Sequence, residues 1–274
     1  MKKLLLLHFI LLSCLSFSQR GKNGAGTINV ANTVVNIYTP LTANASNTTN
    51  FATVASTVGF SVGDLVFIIQ MQGASVNAGR DTIFPDFNSS IPTNTTHGAI
   101  TNYNNCGNYE FAQINSIPNA NTLVFDCNLN YNYHALSKVQ VIRVPRYTTL
   151  TVTSPGNITC PLWNGSTGGV IVLEVLNNCT LTATPSFNAS GLGFRGGAVA
   201  TTTLAYQPGN KYGHRWQYEG AYKGESICGD TTRYQVYSSV HCKGAIANGG
   251  GGGDAHNCGG GGGANAPNGL TYTS

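Results

Sequence analysis

Few residues in this sequence are of types that do chemistry, so they can be weighed one group at a time. The histidines beyond the first fifty residues are His97, His134, His214, His241 and His256. None stands near a Gly-x-Ser-x-Gly nucleophile motif, and they read as solvated or turn residues. Glu110 and Asp126 are the one carboxylate pair that resembles the acid and base of a glycosidase. Against that reading, Glu110 falls in mid-strand and Asp126 at a strand end, where a carboxylate also serves to face solvent or cap a turn. Gly249 to Gly253 followed by Asp254-Ala255-His256 imitates the start of a calcium-binding nonapeptide. That motif needs an aliphatic residue at the place of His256 and several stacked copies, and neither is present. The same glycines are followed by no Gly-Lys-Ser/Thr, which excludes a phosphate loop.

Cysteines are the next candidates. Cys106, Cys127, Cys160, Cys179, Cys228, Cys242 and Cys258 follow Cys14, with no Cys-x-x-Cys pair and no matching histidine pair for zinc. Oxidation outside the cytoplasm suits them better. Nearest-neighbour pairing joins Cys106 to Cys127, Cys160 to Cys179 and Cys228 to Cys242, although sequence alone leaves connectivity open. The densest cluster with binding chemistry is Tyr206, Tyr212, Arg215, Trp216, Tyr218 and Tyr222, interleaved with Lys211 and Lys223. Exposed aromatic rings stack on sugars and anchor interfaces. In a glycine-rich stretch they also serve as the available core.

The elements that must position these residues are strands. Charged residues make up 9% of the chain and glycines number 34, against about 25% charged residues in an ordinary soluble domain. Thr suits a pleated surface, while Gly and Asn supply the turns. The fold class expected is all-β: a small antiparallel β-barrel or sandwich, then β-solenoid-like coils and a glycine-rich tail. Scattered Lys and Arg exclude a nucleic-acid track.

Met1-Lys2-Lys3, the apolar run Leu4 to Leu15 and small residues at Ser16 and Ser18 form a signal peptide over 1–18. A lipoprotein cleavage that would make Cys14 the first residue is the weaker alternative, because Leu12 and the continuing apolar run fit it poorly. The run is shorter than the roughly 20 residues a spanning helix needs. No transmembrane segment is expected after cleavage.

Residues 19–145 read as the barrel or sandwich. The expected strands run Thr27 to Val30 and Val34 to Tyr38, and a hairpin turns at Gly63-Asp64. The run Leu65 to Met71 is apolar enough to be covered on both faces. Strands at 109–114, 122–125 and 138–144 close a meander onto it, interrupted by a long polar loop at 72–106. Residues 146–200 carry short strands separated by Gly, Pro and Asn, the pattern of solenoid coils. The aromatic and glycine-rich region 201–274 ends without a closing element and reads as incomplete.

Phe60 to Gly73, Tyr109-Glu110-Phe111-Ala112, Val141 to Pro145 and Phe187 to Gly197 together resemble the N-terminal part of large secreted Bacteroidetes proteins. Similar glycine-rich proteins are associated with gliding motility. The resemblance implies type IX secretion cargo, an extracellular or outer-surface location, and an adhesin-like or structural role without catalysis or cofactor. It implies the secretion machinery, surface glycans or other surface proteins as partners. It also makes Asp81-Thr82-Ile83 and Asp230-Thr231-Thr232 candidate O-glycosylation sites at Thr82 and Thr231. A carbohydrate-binding module using the 206–222 aromatics is the rival expectation, and a secreted glycan-active enzyme the third.

Overall fold

The computed structural model describes residues 19–76, 100–198, 221–230 and 246–252. Within them the regular structure is strand, apart from one short 3-10 turn at Ala135–Ser137. No helix among the described residues is long and apolar enough to cross a membrane. The all-β expectation stands.

In chain order the strands of the first part are β1 (Ala25–Ile28), β2 (Thr33–Val34), β3 (Ile37–Pro40), β4 (Phe51–Thr53), β5 (Leu65–Gln70), β6 (Ser75–Val76), β7 (Ile100–Asn102), β8 (Tyr109–Asn119), β9 (Thr122–Phe125) and β10 (Val139–Val144). Six of them make one antiparallel sheet in the order β3-β10-β5-β8-β9-β4. The sheet curls until its edges meet. Leu41 bridges Val54, while Thr42 N–H donates to the Thr53 carbonyl at 2.8 Å and Ala55 N–H to the Pro40 carbonyl at 3.0 Å. Side chains alternate across a strand, so Val66, Ile68, Ile114, Leu123, Phe125, Val139 and Val141 point inward and form the main core.

The expected hairpin at Gly63-Asp64 does not form. Residues 57–64 instead make consecutive tight turns, with Phe60 N–H on the Thr57 carbonyl and Asp64 N–H on the Ser61 carbonyl. Gly63 has φ +79°, a backbone conformation that favours glycine, and the Asp64 carboxylate accepts from Ser61 N–H at 2.8 Å. Asp64 also receives Lys22 Nζ at 2.7 Å and Arg143 Nε at 3.0 Å. A turn stapled this way delivers β5 between β10 and β8.

The remaining strands are β11 (Arg146–Tyr147), β12 (Thr149–Val152), β13 (Ile158–Thr159), β14 (Glu174–Val175) and β15 (Cys179–Leu181). All their pairings are parallel. Strands β1, β12 and β15 stack in register, β2 pairs with β13, β11 pairs with β14, and Ile158 bridges Phe187. A second core of Ile28, Leu150, Val152, Ile158 and Ala183 lies within this stack. The strands expected at 27–30 and 34–38 therefore do not both serve the barrel. β1 and β2 belong to the parallel stack, and only β3 joins the curled sheet.

Candidate binding face and the Glu225 node

β5 has the alternation that produces a site. Val66, Ile68 and Gln70 turn inward and are buried, whereas Leu65, Phe67 and Ile69 turn outward and stay partly open. The expectation that this strand is covered on both faces holds for one face only. In register, Ile142 of β10 lies opposite Phe67, and Phe67 lies opposite Phe111 of β8. Ile142 is fully buried, since residues 168–172 cover the β3 and β10 side. There the Tyr38 hydroxyl donates to the Val170 carbonyl at 2.6 Å, and the Gln140 amide exchanges two hydrogen bonds with Gly168.

That cover ends before β8. Tyr109 and Phe111 are 57% and 51% exposed, large values for aromatics in the interior of a sheet. The Phe67 ring lies 5.3 Å from Tyr109 and 5.1 Å from Phe111, tilted at 40° and 51°. Such spacings fall in the favourable range for aromatic pairs, so the three rings form one continuous row. Gln113 follows on the same face of β8, where its amide donates to the exposed Asp126 carboxylate at 2.9 Å and accepts from Arg146 Nη1 at 3.3 Å. Rings bordered by amide and carboxylate groups suit a ligand that is apolar on its faces and hydroxylated at its rim.

Glu110, between the two exposed rings, points the other way and is buried. Its carboxylate accepts from Asn130 N–H at 2.9 Å, Asn130 Nδ2 at 2.8 Å and Tyr131 N–H at 3.3 Å. Glu110 thus ties down the 129–133 loop, and Asp126 is engaged by Gln113. The two candidate carboxylates are held by separate partners on opposite faces of the sheet.

A second polar centre lies where four distant segments meet. Glu225 accepts from Gln72 Nε2 at 2.7 Å on one oxygen, and from Trp163 Nε1 at 2.9 Å, Arg195 Nε at 2.9 Å and Arg195 N–H at 3.2 Å on the other. Burial favours the neutral acid, but the Arg195 and Trp163 donors more than offset it and hold the carboxyl below its ordinary value. Arg195 also reaches Asp230 at 3.2 Å. A cavity of about 410 Å³ opens beside the node, lined by Phe194, Arg195, Glu225, Asn248 and glycine backbone. A carboxylate kept ionised at neutral pH and engaged on both oxygens is a structural tie rather than a proton donor. Glu225 and Trp163 were not singled out by sequence, because no periodicity surrounds either of them.

Of the aromatic cluster, Tyr206, Tyr212, Arg215, Trp216 and Tyr218 lie outside the described residues, as do Cys14, Thr82, Thr231, Cys242, Cys258 and most of the 72–106 loop. Tyr222 is described and is partly exposed. No two of the five described cysteines are joined, with Cys106, Cys160 and Cys228 buried and Cys127 and Cys179 exposed. In the expected pairs Cys106–Cys127 and Cys160–Cys179, one thiol is therefore buried and the other exposed. Among the described residues no cluster of His, Cys, Asp and Glu is arranged to hold a metal.

No protein-family model matches the sequence, and no curated protein matches it significantly. Solved structures with local likeness include the tailspike of Acinetobacter baumannii bacteriophage AP22, in complex with A. baumannii capsular saccharide. It is 14% identical, with 58% of this chain and 27% of the tailspike covered and a TM-score of 0.29. The tailspike of Pseudomonas phage phi297 is 13% identical over 49% of this chain and 21% of its own, with a TM-score of 0.26. That of Pseudomonas phage LKA1 is 14% identical over 50% and 24%, also at 0.26. The chain thus spans about a quarter of the length of these tailspikes. At such TM-scores the likeness carries no argument, and the chemistry of the site rests on this chain's own residues.

Proposed function

We propose that the chain is an exported, non-catalytic surface protein of adhesin-like type that holds glycan on the outward face of β5 and β8. The exposed row Tyr109, Phe67 and Phe111, bordered by Gln113 and Asp126, carries this reading. Sugar rings present C–H faces that stack on aromatic rings, while their hydroxyls pair with amides and carboxylates. The row stands on the interior strands of a sheet, so its geometry is fixed before ligand arrives and little ordering entropy opposes binding. The parallel stack of β1, β12 and β15 supports the companion idea that the chain begins a β-solenoid. Export is supported by the leader pattern at 1–18.

The test is a glycan array probed with the intact chain and with a Tyr109→Ala/Phe111→Ala variant. Both side chains are half open, so the variant is expected to fold with a thermal midpoint close to the parent. Loss of glycan signal by about tenfold or more, the scale of a lost stacking contact, supports the proposal. Equal binding by both proteins, or none by either, sinks it. Glycan hydrolysis abolished by Glu110→Gln would replace it with the enzymatic reading.

A further inference from the structure

We infer that Cys106 and Cys228 form a disulfide that fastens the 226–229 turn to the β6–β7 ladder. Cys106 stands in the turn after β7, where its N–H donates to the Tyr103 carbonyl at 2.8 Å and its Sγ donates to the Met71 carbonyl at 3.3 Å. Cys228 lies near the tip of a turn closed by two reciprocal bonds, Ser226 N–H to the Gly229 carbonyl at 2.8 Å and the reverse at 2.9 Å. The turn is pinned beside β6, because the Ile227 carbonyl accepts from both Gly73 N–H at 2.9 Å and Ala74 N–H at 3.2 Å. The residue before Cys228 is therefore bonded directly to Ala74. Cys106 is bonded to the same short segment through the Met71 carbonyl, so both cysteines are anchored on residues 71–74.

Both side chains are buried in a single apolar cluster with Ala74, Val76 and Ile246. The Cys106 thiol is pushed up to about 11, first by burial and then by the neighbouring Cys228. A pair of thiols in such a pocket gains little as acids or as ligands. Joined, they become a compact apolar group. Each sulfur gives up its hydrogen, and the two electrons and two protons pass to an external disulfide, whose own S–S bond breaks to two thiols. The bond would close a loop running from Cys106 to Cys228, spanning the parallel stack and the Glu225 node. Sequence proximity pointed each cysteine to a different neighbour.

The intact, reduced chain is incubated with oxidised glutathione, residual thiols are alkylated, and the digest is mapped by mass spectrometry. The expected product is one peptide pair joined through Cys106 and Cys228, lighter by two hydrogens than its separate parts. In Cys106→Ser the joined pair disappears and Cys228 becomes alkylatable. Recovery of both residues as alkylated thiols or glutathione adducts overturns the inference. So does linkage of Cys106 to Cys127 or of Cys228 to Cys242. The parent chain by itself distinguishes these outcomes, which depend neither on the glycan reading nor on the folding of any variant.

Discussion

Glu225 is nearly excluded from water and still carries its charge, since four donors from Gln72, Trp163 and Arg195 surround it. Hydrogen bonds to a charged group contribute about 1.5–3 kcal/mol each, and a buried acceptor removed from them costs as much. Glu225→Gln is expected to lower stability by about 2 kcal/mol, because one carboxylate oxygen becomes an NH₂ facing other donors. Its pH dependence follows from the lowered folded value. A depressed carboxyl binds its proton later than in the unfolded chain, so its stabilisation is complete above the ordinary value of 4.5 and drains as pH falls through the lower folded value. Glu174, beside Arg146 and Arg20, is lowered in the same sense, the arginines outweighing burial. Thermal midpoints measured from pH 7 downward should therefore drop below about pH 4.5. In Glu225→Gln that drop should be shallower, and equal slopes would show that the node contributes nothing.

The strands most legible in the sequence were those whose alternation is local. Leu65–Gln70, Thr122–Phe125 and Val139–Val144 alternate or run apolar between turn residues, and each forms where expected. The row on β5 and β8 was half legible, since alternation sends Tyr109 and Phe111 to one face without saying that β8 lies next to β5. Partner choice across long separations was not legible. Ala25 pairs with Thr149 through backbone bonds, which no side chain encodes. One residue does make room for the far end of that ladder. Gly156 lies where an added Cβ would stand 2.5 Å from the Ile28 carbonyl oxygen and 2.7 Å from the Asn29 Cα, both backbone atoms that cannot swing aside. Gly156→Ala is expected to push the end of β1 from β12 and cost about 1–3 kcal/mol, the usual scale of overpacking. Denaturant titration measures it, with faster amide exchange at Thr27 and Ile28 as the local sign. An unchanged midpoint would mean the β1 end is free to move.

The chain enters the parallel stack at β1 and β2, leaves it to build the curled sheet, and returns at β11 and β12. In sequence the sheet is therefore an insertion between strands that pair directly with one another in the stack. The two are also bonded side by side. Asn36 donates to the Arg143 carbonyl at 2.9 Å and accepts from Val172 N–H at 3.2 Å, the Tyr38 hydroxyl reaches Val170, and Gln140 holds Gly168 by both amide atoms. Gln140 is wholly buried, so losing it leaves the Gly168 N–H and carbonyl without that partner. Each buried unsatisfied group costs about 1–3 kcal/mol. Melting of the parent chain should accordingly be one cooperative transition, with calorimetric and van't Hoff enthalpies equal. Gln140→Ala should lower the midpoint and weaken the coupling, so that the sheet and the stack begin to melt apart. Two separate transitions in the parent chain would show instead that these bonds join the sheet and stack without making them fold as one.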